Sequence, residues 1–157
     1  MNKIYLKNYI IKNNKLNFCD VDLFEFGQSD ESISVCRAKT NCHICFEEFV
    51  LQCFLAFMSG ELFTKSEKLN INIGKLHNLE EFLFKNDWEE EYKLIPISTD
   101  KIQSLLFEWI DNKTMIEMNI DILNINSAII LDKFDSLEQY VVFNTNAYKY
   151  LLVRSLG

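Results

Sequence analysis

Residues 42–59 leave this chain few ways to fold. Ile44, Phe46, Phe49, Val50, Leu51, Cys53, Phe54, Leu55, Phe57 and Met58 spread apolar side chains round nearly the whole circumference of a helix. Such a helix has no face to offer water and must be covered on every side. Thr40 or Asn41 can cap its start, and Ser59-Gly60 ends it. The longest strongly apolar run without a charge, Phe49 to Met58, is too short to cross a bilayer. The cover therefore has to come from the rest of the chain, and a sheet is the economical way to supply it.

The flanking sequence reads mainly as strands. Residues 2–12 and 16–26 carry apolar residues in loose alternation, separated by the turn signal Asn13-Asn14. The apolar phase slips within the second stretch, which predicts a bulge or break near Cys19 to Val21. Gly27 to Asp30 reads as a turn, and Ser32 to Ala38 alternates again as a third strand. The expectation is an N-terminal three-strand antiparallel meander that the long helix packs across.

Beyond Gly60, Leu69 to Ile73 reads as a short strand, and Asn78 with Glu81 opens a short amphipathic helix. Tyr92 to Ile97 reads as a strand that Pro96 confines to an edge or end. Thr99 or Asp100 caps a helix with Ile102, Leu105, Leu106, Trp109 and Ile110 at helical spacing. Thr114 to Leu123 alternates Ile116, Met118, Ile120 and Ile122 with polar residues and predicts a half-buried strand. Ala128 to Leu131 predicts another, after an Asn-rich turn. Tyr140 to Phe143 and Tyr148 to Val153 predict a closing hairpin, with a helix over Ser136 to Tyr148 as the alternative. The fold class is α+β, with an antiparallel or mixed sheet, one long buried helix, one or two amphipathic helices and C-terminal strands. No repeat or Pro/Gly/Ser linker divides residues 1–157, so one globular domain is expected.

Composition excludes several functions. The 157 residues contain 4 Gly, none close to another, so neither a phosphate-binding loop nor a dinucleotide fingerprint is present. The net charge of −7 repels nucleic acid and anionic membrane and attracts basic proteins. The N-terminal Met1 to Lys7 is too polar for a signal peptide. A cytoplasmic protein with reduced thiols is expected.

Cys42-His43-Ile44-Cys45 stands at the start of the long helix, where the helix dipole would favour a thiolate. This is the basis of an alternative function, a thiol-redox protein or other small enzyme that uses the Cys42/Cys45 pair. Zinc is the other reading, through Cys36, Cys42, Cys45 and Cys53 with His43, but one close pair is poor ligand spacing. Two small apolar residues at a buried helix start explain the pair more simply. His77 with Glu80 and Glu81 suits a solvated helix start better than a catalytic base, and Asp20-x-Asp22 suits an exposed strand better than a metal site. No cofactor and no catalytic residue is assigned.

The acidic stretches carry the functional expectation. Residues 80–91 hold six acids (Glu80, Glu81, Asp87, Glu89, Glu90, Glu91) against Lys85. Asp20, Asp22, Glu25, Asp30 and Glu31 follow one another without a lysine or arginine. Solvated faces are the plain explanation. The functional one is a docking surface for a basic protein, with Trp88 and Tyr92 as anchors among Asp87, Glu89, Glu90 and Glu91. A small acidic protein without catalytic equipment has the character of an immunity or antitoxin-type inhibitor. A nuclease toxin must carry a cationic cleft, which such an inhibitor would complement. The many Lys, Asn and Ile residues agree with an AT-rich, bacterial-type genome.

Overall fold

The computed structural model describes residues 21–28, 30–42, 45–46, 49–50, 53, 93–132 and 138–156. They form a six-stranded sheet in the order β1-β2-β6-β5-β4-β3, with every pair antiparallel. The strands are β1 (Val21–Gln28), β2 (Glu31–Lys39), β3 (Lys93–Ile97), β4 (Ser127–Asp132), β5 (Glu138–Asn144) and β6 (Tyr148–Leu156). Two helices, α1 (Thr99–Trp109) and α2 (Asn112–Glu117), lie between β3 and β4. The architecture is α+β. The expected strand over 2–12 and the elements expected at 69–73 and 78–86 lie outside the described residues.

The hairpin expected across Gly27 to Asp30 is present, with Gln28 opposite Glu31. β2 then pairs on its other side with β6, placing Val35 opposite Leu152 and Cys36 opposite Leu151. The closing hairpin is also present, and the helical alternative over 136–148 gives way to β5 and β6. Thr145 turns the chain between them: its amide donates to the Tyr148 carbonyl at 2.9 Å. β3 pairs only with β4 among the described strands, so Pro96, opposite Ile129, sits on a sheet edge. An edge is where a residue without an N–H donor costs least.

Antiparallel strands often leave one face to water and alternate accordingly. The central strands here do not. Tyr140-Val141-Val142-Phe143 and Tyr150-Leu151-Leu152-Val153 are buried at every position. One face holds Val35, Val141, Phe143, Tyr150 and Leu152 in a cluster with Ile102 and Leu106 of α1. The opposite face holds Cys36, Leu151 and Val142, each fully buried. On that side the backbone is helical at Phe46, Phe49, Val50 and Cys53, and the Phe49 amide donates to the Cys45 carbonyl at 3.0 Å. Phe49, Val50 and Cys53 are completely buried. Cys53 hydrogen-bonds Cys36, which ties this segment to β2, and burial together with that contact pushes the Cys53 thiol up. Phe49, Val50 and Cys53 of the 42–59 segment thus lie in the core, whereas Cys45 at its start is exposed and Phe46 is half-buried.

The cap of α1 is one residue earlier than expected: the Ser98 hydroxyl accepts from the Lys101 amide at 3.2 Å. A larger correction concerns Thr114 to Leu123. These residues form α2, a turn and a short 3-10 segment (Ile122–Asn124), not a strand. The Asp111 carboxylate accepts from the Thr114 amide at 2.7 Å and starts the helix. Asn119 ends it at φ 55°, a left-handed conformation that asparagine tolerates. The Ile120 amide reaches the Met115 carbonyl and the Asn119 amide reaches the Ile116 carbonyl, the paired bonds of a Schellman close. Met115 and Met118, three apart, face the core, while Ile116 is 75% exposed. Local capping bonds therefore override the two-residue alternation.

Tyr150 and Arg37 hold this helix end against the sheet. The Tyr150 hydroxyl shares its proton between the Met118 carbonyl at 3.0 Å and the Asn119 carbonyl at 2.7 Å. Arg37 donates to the same Met118 carbonyl at 3.1 Å, a cation at a helix C-terminus. Tyr150→Phe leaves the Asn119 carbonyl without this donor and lowers stability by about 1–2 kcal/mol in a urea titration. Burial raises the Tyr150 phenol above its ordinary value of 10.0, so the folded state keeps a proton that the unfolded chain releases. That contribution is complete below pH 10.0 and is lost as pH rises beyond it. The wild type thus loses stability on the alkaline side more steeply than Tyr150→Phe.

Candidate partner-binding cleft

The β1–β2 hairpin and the α1–α2 corner enclose an open cleft of about 570 Å³. The sheet contributes Phe26, Glu31 and Ile33, and the helices contribute Phe107, Glu108, Trp109, Asp111, Lys113 and Glu117. Four carboxylates thus meet one lysine around the opening. Phe107 is 61% exposed, an unusual position for a large ring on a helix with a buried stripe of its own.

Arg154 braces the cleft. Its Nε donates to Glu31, its Nη1 donates to Glu108 Oε1 at 3.1 Å, and its guanidinium lies 5.6 Å from the Trp109 ring centroid. These contacts link the hairpin turn to α1 and occupy one oxygen of each glutamate. Asp111 is engaged as the α2 cap, and the Thr114 amide holds its carboxyl below the usual carboxylate range. Glu117 is exposed and makes no hydrogen bond or ion pair among the described residues. It is the carboxylate here with no internal role.

Of the acidic residues singled out in the sequence, Glu31 lines the cleft. Asp22 is drawn to Arg37, 3.0 Å away. Glu25 is exposed on β1, three residues from Asp22 and so on the opposite side of the strand. Asp30 is exposed in the turn. The stretch is split by strand alternation and does not form one acidic face. Asp20 and Asp87, Trp88, Glu89, Glu90, Glu91 and Tyr92 lie outside the described residues.

Of the described thiols, Cys36 and Cys53 lie against each other. Cys45 is exposed, whereas Cys36 and Cys53 are buried and unoxidised. No group of three or more metal-ligating side chains forms among the described residues. Glu108 and Glu117 escaped the sequence reading for separable reasons. Glu117 sat in the segment read as a strand. Glu108 is one isolated acid, but its neighbour Phe107 fell outside the apolar stripe of α1 and was a usable signal.

No protein-family model matches the chain, and no curated protein or solved structure matches it. Among the described residues no helix is long and apolar enough to cross a membrane.

Proposed function

We propose that this chain is a small acidic protein-binding module that neutralises a basic partner, in the manner of a bacterial immunity or antitoxin-type inhibitor. The observation that supports this most is the cleft, where Glu31, Glu108, Asp111 and Glu117 outnumber Lys113 and the bracing Arg154. The helical layer beside it has the same bias: residues 99–124 hold Asp100, Glu108, Asp111, Glu117 and Asp121 against Lys101 and Lys113, all exposed. Exposed Ile116 and Leu123 lie on the same layer and offer apolar contact area. Carboxylates of this kind steer a cationic partner and suppress wrong ones, while aromatic and aliphatic groups supply the binding energy.

A nuclease toxin fits as the partner class, because a protein that binds phosphates must present a cationic surface. The acidic residues Asp87, Glu89, Glu90 and Glu91, with Trp88 and Tyr92, are a second candidate surface of the same sign. Separate reversals, Glu117→Lys and the triple Glu89→Lys/Glu90→Lys/Glu91→Lys, assign the interface. The variant that weakens the complex and flattens its salt dependence identifies the docking face. Unchanged affinity in both removes the proposal.

A further inference from the structure

We infer that the cleft receives an arginine side chain from the basic partner, with the guanidinium lying on Phe107 and paired with Glu117; this rests on the proposed function above. The chain itself shows the chemistry twice. Arg154 is held by Glu31 and Glu108 and lies over the Trp109 ring. Arg37 is held by Asp22 and lies between Phe24 at 5.1 Å and Tyr148 at 4.6 Å. In both cases a carboxylate neutralises the cation and an aromatic face covers its plane. The cleft lining holds both kinds of group unused: the Phe107 ring is 61% exposed, and Glu117 has no partner among the described residues.

Two observations favour an arginine over any cation. A planar guanidinium stacks on a ring and still donates in its own plane, whereas a compact ammonium ion holds its water more tightly. The lysine already at the cleft, Lys113, lies over no ring among the described residues. The cleft, at about 570 Å³, falls in the range of built pockets, so it accommodates a side chain with its flanking backbone outside.

The test uses fluorescein-labelled nona-arginine and nona-lysine, with binding followed by fluorescence anisotropy at about 0.15 M salt. The wild type binds the arginine peptide more tightly by about fivefold or more. Phe107→Leu keeps apolar bulk and removes the π face, and it reduces that preference below about twofold while leaving the lysine peptide unaffected. Glu117→Gln weakens both peptides and keeps the preference. Both positions are exposed, so thermal melts of the variants stay close to that of the wild type.

Equal affinities for the two peptides, or a preference that survives Phe107→Leu, overturn the arginine pocket but leave the acidic docking surface standing. Failure to bind either peptide overturns both. Dimerisation of the free chain on size exclusion, abolished by Phe107→Leu, would assign the cleft to a second copy and also overturn the proposal.

Discussion

Phe143→Ala lowers the unfolding free energy by about 3–5 kcal/mol, the largest effect expected of any single substitution in the described core. Phe143 is completely buried near the C-terminal end of β5, opposite Tyr150 of β6. Its ring stacks on Tyr150 at 4.8 Å, and Tyr150 in turn holds the end of α2. Truncation loses the burial of the ring, leaves a cavity that strands paired on both sides cannot collapse to fill, and loosens the support under Tyr150. Because domains of this kind are stable by only about 5–15 kcal/mol, the variant approaches the limit of folding at physiological temperature. Urea unfolding followed by tryptophan fluorescence measures it. A loss below about 1 kcal/mol would mean that the site repacks and that the two-sided sheet core described above is wrong.

Glu117→Lys reduces affinity for a basic partner by about tenfold to a hundredfold and leaves folding intact. The substitution replaces attraction by repulsion at a carboxylate that makes no hydrogen bond or ion pair among the described residues. Little in the fold depends on it. This separates it from Glu31 and Glu108, whose reversal would also release Arg154. Part of the loss should appear in the association rate and shrink as salt rises, because an exposed carboxylate steers encounter, and part in the dissociation rate, because the same carboxylate pairs with the bound guanidinium. Stopped-flow binding at several salt concentrations reads both quantities. A salt-independent loss would point to misfolding of α2, and no loss would move the interface to residues 87–92.

The parts of the fold that were readable have local causes. Pro96 announces an edge strand because it lacks a donor, and β3 is outermost among the described strands. The apolar run Tyr140 to Phe143 announces one strand of a closing hairpin, and it lies within β5. Asn144 to Ala147 separates two such runs at hairpin spacing. The segment after Trp109 misled for an equally physical reason. Ile116, Met118, Ile120 and Ile122 alternate like a strand, but the outcome depends on the Asp111 cap, the left-handed Asn119 and the Tyr150 bond from a strand about thirty residues later. A count of apolar positions registers none of these. The cleft was hidden in the same way. It joins Glu31, Glu108 and Glu117 across distant parts of the chain, whereas a reading of contiguous acidic runs finds only residues that are neighbours in sequence.

A pull-down of the tagged chain from its native cells, with products of neighbouring genes included and the bound protein identified by mass spectrometry, tests the central claim most directly. The account predicts one stoichiometric basic partner that is released by high salt and lost from Glu117→Lys or from the triple reversal at Glu89, Glu90 and Glu91. A chain that emerges without a partner, or a partner retained by both charge-reversed variants in high salt, contradicts it.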